Sequence, residues 1–411
     1  MITYKEAINI LSNALQPLPD FKMASEQAHG VLARDVISTE EVPNFSNSAM
    51  DGFAVRSVET NGANEDNPVR LEVRGCILAG ELAPAIDQKE SCCEIMTGSV
   101  MPTGFDAVIP VEKVEITDEG GRAFIVINQS VQTGRNVRFS GEDFKPGQVV
   151  AKKGQLLNPH ILMAINANKI ESVSVYRPPN IGILTTGSEL ETVNQKENSP
   201  TIPNTNGPFL QSSIRRMGIP CNGMVSVGDS SQMILEKIQN FMDLESDIII
   251  ISGGVSAGKA DFVPGALRTL GAEILFHKVW IRPGKPILMA KLPTGQFVFG
   301  LPGNPVSVAV GFRFFVNQAI RILQDQALEK PIVATNKNEF NKPEKFCFFA
   351  KAQTGYTQSG KLEAEILSGQ ESFKLSPFYQ ANSWMILPEG ADVIKAGEKI
   401  EIMPLHPGEA I

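Results

Sequence analysis

Three carboxylates stand at matching places in the middle of the chain: Glu189 in TTGSEL, Asp229 in VGDSS and Asp261 in SGGVSAGKADFV. Each follows a short apolar run that reads as a strand, so one sheet edge would receive all three. Hard cations such as Mg²⁺ take oxygen ligands, commonly one or two carboxylates plus water and substrate phosphate. A lone loop acid is usually a turn or helix-entry charge. Three at equivalent points suggest metal or general-base work for at least one of them.

Cations and amides for an anion follow in the same region. The stretch Lys278-Val279-Trp280-Ile281-Arg282-Pro283-Gly284-Lys285-Pro286 holds three cations, two of them stiffened by Pro and Gly. Arg suits an oxyanion by its planar fork and Lys as a point charge. In Gly300–Ser307, GLPGNPVS, Asn304 reads as an N-cap and Pro305 as the first helical residue. Ser307 then falls in the first turn, where free amides and the helix dipole favour an anion. At Ser252-Gly253-Gly254, missing Cβ atoms let backbone amides approach a ligand closely. Acids, cations and a helix N-terminus together describe a site for phosphate-like substrates. Gly253–Lys259 also satisfies G-x-x-x-x-G-K, but Ala260 replaces the hydroxyl that should hold Mg²⁺ in a P-loop. No Ser-His-Asp or Cys-His set is visible.

Positioning these groups calls for a parallel sheet. The run Ile248–Ile251 has no polar alternation, as expected of a strand buried on both faces. Ile181–Thr185, Met224–Val227, Ile287–Lys291 and Phe297–Phe299 read as further strands. Helices are predicted over Gly207–Met217, capped by Asn206, over Ser231–Leu244, begun by Ser230, over Val263–Leu270, and from Pro305 to about Gln324. That alternation predicts a doubly wound α/β domain over 178–329.

The flanks differ in texture. Residues 4–15 and a segment opened by Ser25, SEQAHGVLARDV, carry helical spacing, and helix returns at Asn158–Asn168. An N-terminal linking domain is expected over 1–38 and 151–177, interrupted by an inserted β domain at 39–150. Val69–Leu78, Ala107–Val114 and Ala123–Ile127 are its clearest strands. By local chemistry alone, Asp51 before Gly52 and Thr97 before Gly98 are turn residues. Residues 330–411 read as a small β barrel with strands at Lys345–Ala350, Leu362–Ile366, Ser383–Leu387 and Lys399–Met403.

Composition narrows the class. A net charge of −8 and a pI near 5.3 argue against a general nucleic-acid binder. The five cysteines include no C-x-x-C, and the four histidines are scattered, which argues against a dedicated metal centre of either type. With no signal peptide and no apolar run of spanning length, no membrane association is expected and the expected compartment is the cytoplasm.

Seven motifs in order, SAMDGFAV, MTGSVMPTGFDAVIPVE, NVRFSGEDFKPGQ, TTGSEL, SGGVSAGKADFV, RPGKP and GLPGNPVS, resemble the molybdopterin molybdenumtransferases, the MoeA and gephyrin E-domain family. The resemblance covers nearly the whole chain. It implies insertion of molybdate into adenylylated molybdopterin, with release of AMP and with Mg²⁺ as cofactor. It also implies a homodimer of four-domain subunits and a possible partner in the molybdopterin adenylyltransferase.

On the same resemblance, Glu189, Asp229 and Asp261 serve as metal or catalytic acids, joined by Lys278 and Lys285. Substrate contacts fall to Ser252, Gly253, Gly254, Ser256, Arg282, Pro286, Ser307, Ser372 and Ser376. Asp51 and Thr97 become residues contributed across the dimer, which replaces the turn reading. Several positions depart from the family pattern: Arg282 for a lysine, Ser188 and Asn204 for acids, and Lys259 where an acid is frequent. No clear counterpart of the family's anion-binding arginine stands near Ala350–Thr354. The rival readings are a non-catalytic scaffold, which could afford to lose the acids, and a P-loop phosphotransferase.

Overall fold

The protein is described from a computed structural model covering residues 1–190, 201–255 and 262–409. It divides into two compact units, one of Met1–Phe21 with Ser174–Ile411, the other of Lys22–Val173. The fold is multidomain, α/β and β.

In the first unit the α/β sheet contains β1 (Ile181–Thr186), β2 (Cys221–Val227), β3 (Ile248–Ser252), β4 (Glu273–His277), β5 (Leu288–Lys291) and β6 (Phe297–Leu301). Their order is 2-1-3-6-5-4. Strands β2, β1, β3 and β6 run parallel, while β5 is antiparallel to both β6 and β4. Helices α1 (Tyr4–Ala14), α2 (Asn206–Arg216), α3 (Ser231–Asp243), α4 (Val263–Thr269) and α5 (Pro305–Leu323) complete the unit's helical layers.

The isoleucine run shows why the sheet is covered on both faces. Ile248 and Ile250 pack with Leu210 and Ile214 of α2, whereas Ile249 and Ile251 pack with Ile234 and Ile238 of α3. Successive strand residues point to opposite faces, so four consecutive apolar residues demand two apolar layers. Helix α5 is long and apolar enough in composition to cross a membrane, but 89% of it is buried within the protein. A π-helical segment, Phe312–Val316, interrupts it and turns Arg313 inward. There the guanidinium makes a bidentate pair with Glu329 at 2.7 and 2.8 Å and donates to the Pro404 carbonyl.

The C-terminal barrel contains β7 (Ile332–Asn336), β8 (Cys347–Tyr356), β9 (Leu362–Ile366), β10 (Ser383–Leu387) and β11 (Lys399–Pro404). It closes because β8 pairs with both β9 and β10. Small residues Ala350, Ala352 and Ala364 fit its narrow interior. The short strand Ile281–Arg282 joins it in parallel to the start of β8, which carries the cationic stretch to the barrel.

The second unit is built on a six-stranded sheet with Gly52–Val55, Val69–Ile77, Ser91–Ile95, Ala107–Pro110, Glu115–Glu119 and Arg122–Ile127. Gly52 is obligatory there, since a Cβ would lie 1.9 Å from the Ile109 carbonyl oxygen.

Two expected elements differ. The helix predicted from Ser25 is one 3₁₀ turn, Ser25–Gln27, followed by extended chain. The Ser25 hydroxyl donates to the Ile170 carbonyl instead of capping, and Gly30 takes φ +91°. Ala28, Val31 and Leu32 are nonetheless buried, so the apolar spacing marked the core and not the helix. Ala107–Val114 is a strand only to Pro110, then a 3₁₀ turn.

Candidate functional site

Strand β1 ends at Thr186 and passes into Gly187, Ser188 and Glu189. The Glu189 carboxylate folds over Gly187, where a Cβ would lie 2.8 Å from both its oxygens. Beside it, β2 releases Gly228 and Asp229. Ser188 and Asp229 lock the two loops reciprocally: the Ser188 amide donates to Asp229 Oδ2, and the Asp229 amide donates to Ser188 Oγ, each at 3.1 Å. Parallel pairing of β1 with β2 thus brings two of the three expected acids to one edge. Asp261, Ser256 and Lys259 lie outside the described residues, as does most of the G-x-x-x-x-G-K run.

The next strand, β3, ends at Ser252-Gly253-Gly254, with φ +100° at Gly253 and +62° at Gly254. A Cβ on Gly253 would come within 2.3 Å of the Thr186 carbonyl oxygen. The glycine turn is therefore a close crossing of two chain segments, and the Gly253 amide donates to the Leu301 carbonyl at 2.9 Å. Asn206, expected to cap α2, instead reaches across the edge and donates to Ser252 Oγ at 2.9 Å and the Gly303 carbonyl at 2.7 Å. Asn204 takes over near that terminus, accepting from the Gly207 amide and donating to Thr185 and Ser226 hydroxyls.

The cationic stretch doubles back on itself. Amides of Lys278 and Val279 donate to the Ile287 and Lys285 carbonyls, and Ile287 N–H donates to Gly284. The peptide bond Arg282–Pro283 is cis, and Gly284 takes φ +102°. Arg282, Lys285 and Pro286 line a cavity of about 890 Å³, with Gly303, Asn304 and Ser307 on one side and barrel residues Gly369–Phe373 on the other. Arg282 and Lys285 are exposed, and among the described residues neither has a carboxylate within 4.0 Å. Two unneutralised cations and the Ser307 hydroxyl suit a multiply charged oxyanion. A Cβ on Gly303 would lie 3.9 Å from Gly253 Cα, so the glycine turn borders this region.

Other expected residues sit apart. Lys278 is half-buried at φ +69° and does not line the cavity; Ser376, itself exposed, begins a 3₁₀ turn outside it, whereas Ser372 is on the wall. The helix N-terminus is less open than its sequence suggests. Asn304 makes no side-chain cap, and the Val306 amide already donates to the Ser372 carbonyl at 3.1 Å.

In the other unit Asp51 and Thr97 form a pair. Thr97 donates its amide and its hydroxyl to Asp51 Oδ1, at 2.6 and 2.8 Å. These bonds, the amide first, hold the Asp51 carboxyl below the usual carboxylate range.

No group of three or more His, Cys, Asp or Glu side chains gathers among the described residues. The donors at the sheet edge are carboxylate and hydroxyl oxygens from Glu189, Asp229 and Ser188. Such a set fits a hard cation that completes its shell with water and phosphate, and does not fit zinc or another soft metal.

Comparison with known proteins agrees along the whole chain. Residues 2–167 match the MoeA N-terminal region (domain I and II), 182–322 a probable molybdopterin binding domain, and 333–405 the MoeA C-terminal region (domain IV). A molybdopterin molybdenumtransferase of Synechococcus elongatus is 33% identical, over 98% of this chain and 100% of its own length. That of Bacillus subtilis is 33% identical, over 92% of this chain and 88% of its own. The crystal structure of a molybdopterin biosynthesis moeA protein from Pyrococcus horikoshii OT3 superposes with a TM-score of 0.81 at 28% identity, covering 98% of this chain and 99% of that one. On sequence and fold together, this chain belongs to the molybdopterin molybdenumtransferase family.

Proposed function

We propose that the protein is a transferase that inserts molybdate into adenylylated molybdopterin and releases AMP, in molybdenum cofactor biosynthesis. The observation that carries this reading is the cavity holding Arg282, Lys285 and Ser307 next to a sheet edge that presents two acids. Molybdate is a tetrahedral dianion, and the two cations lower the cost of bringing it near a phosphorylated substrate. The Gly254 amide would bind a substrate phosphate oxygen, its neighbour Gly253 already donating to the Leu301 carbonyl. Glu189 and Asp229 would hold Mg²⁺, with Asp261 the expected third acid. Bound there, the metal would neutralise phosphate charge as the phosphoanhydride is cleaved.

The active form is proposed to be a cytoplasmic homodimer in which Asp51 and Thr97 serve the partner subunit's site. Three of its five free cysteines are buried as thiols, which suits a reducing compartment. A further partner would be the adenylyltransferase that supplies the substrate. The test is AMP release from adenylylated molybdopterin with and without molybdate, and with Mg²⁺ removed by chelation. Release that requires both supports the reading; release indifferent to molybdate refutes it.

A further inference from the structure

One cation in this unit has no place in the chemistry above. Lys351 on β8 is fully buried, and among the described residues no carboxylate lies within 4.0 Å of it. A buried charge without a counter-ion is costly, so the carbonyls that solvate it are held tightly. Here they are Gly369 O at 2.8 Å and Lys374 O at 2.9 Å, five residues apart on the loop that walls the oxyanion cavity. The backbone of Lys351 grips the same loop. Its amide donates to Gln370 Oε1, and its carbonyl accepts from Gln370 Nε2, both at 2.9 Å.

Between those anchors lies Ser372, whose carbonyl accepts from Val306 in the first turn of α5. We propose that Lys351 is a positioning residue: its buried ammonium clamps the Gly369–Lys374 segment and so holds Ser372 against α5 on the wall of the oxyanion cavity. The ammonium also adds positive potential behind that wall, where no carboxylate of the described residues lies within 4.0 Å of it.

Burial pushes the Lys351 ammonium down to about 8, with Glu371 opposing and Lys374 reinforcing the shift. Those two are the charged groups facing it from the loop. Strand β10 faces it with Trp384, Leu367 just after β9 donates its amide to the Lys351 carbonyl, and the neighbouring 3₁₀ turn presents Phe378. A clamp that loses its proton near pH 8 donates less strongly and carries no field. Oxyanion affinity should therefore fall as pH rises through that value, although molybdate itself stays a dianion.

This inference rests on reading the cavity as the molybdate site, and two measurements separate the failure of each. The first is molybdate binding by calorimetry between about pH 7 and pH 9.5. Wild type should weaken with a midpoint near 8. Lys351→Met should bind about tenfold more weakly at neutral pH, as the wall loses its two ammonium anchors and the potential behind them, and show no such step. Lys285→Met should be weaker throughout yet keep the step. The second is amide hydrogen exchange, in which Lys351→Met should lose protection over residues 367–375 while the α/β strands keep theirs.

A wild type that binds molybdate without the step, or a folded Lys351→Met with unchanged exchange over that segment, overturns the proposal. A wild type that binds no molybdate instead sinks the reading of the cavity, and the exchange result still decides the clamp. If Lys351→Met does not fold, exchange in wild type decides: after correction for intrinsic rates, residues 367–375 must loosen between pH 7 and 9.5.

Discussion

Substituting Gly253 by alanine tests the close crossing at the centre of the site. The residue takes φ +100°, which an L side chain adopts only under strain of about 1–2 kcal/mol. The new Cβ would lie 2.3 Å from the Thr186 carbonyl oxygen and 2.8 Å from its Oγ1. Ordinary contact begins at 3.4 Å, so β1 and β3 must separate by roughly 1 Å at their carboxyl ends. The obstructing atom is backbone, and no rotamer change relieves it. Overpacking of that kind costs about 1–3 kcal/mol, giving a total destabilisation of about 2–5 kcal/mol. Both tryptophans, Trp280 and Trp384, lie in the first unit, so urea unfolding followed by tryptophan fluorescence reports that unit alone. Gly265→Ala is the matched control. Its Cβ meets nothing within 4 Å in helix α4, and it should be neutral or stabilise by up to about 1 kcal/mol. A Gly253→Ala protein within about 0.5 kcal/mol of wild type would refute the argument from close approach.

Three further outcomes follow from particular contacts. Glu329→Gln leaves the Arg313 charge, only 2% exposed, without its counter-ion, and should cost about 3–5 kcal/mol in the same fluorescence-monitored unfolding. Thr97→Val removes the hydroxyl but not the amide donor to Asp51, so the Asp51 carboxyl should rise part of the way to its ordinary value in a carboxyl NMR titration. A depressed carboxyl contributes stability above its unfolded pKa and loses it as pH falls through the folded one; the variant should lose that acid-range contribution at higher pH than wild type. If the proposed homodimer shares its sites across subunits, mixing Asp51→Ala with Glu189→Gln chains should restore activity to about a quarter of wild type per site, because about half of the exchanged dimers would contain one intact site. No recovery despite shown subunit exchange would place both residues in the same subunit's site.

What the chain shows without its fold is governed by near neighbours. The isoleucine run announced a strand covered on both faces, and Ser230 announced the start of α3, where its hydroxyl indeed accepts from Met233 N–H. The order βαβ with acids after successive strands placed Glu189 and Asp229 on one edge, since parallel strands must end together. Two prolines and a glycine around Lys285 likewise marked a constrained cationic loop. These signals are legible because backbone geometry and capping act over a few residues.

Tertiary structure decided how each polar group is used. Ser25 and Asn206 both have cap chemistry, yet one bonds Ile170 and the other bridges Ser252 and Gly303. Lys351 reads as an ordinary barrel residue until the fold removes its water and leaves two loop carbonyls to replace it. Asp51 with Thr97, and Val306 with Ser372, are pairs separated by dozens of residues. A polar side chain bonds to whichever complementary atom lies nearest once solvent is excluded. Local spacing names the group that needs a partner, and only the packing of distant segments determines which atom meets that need.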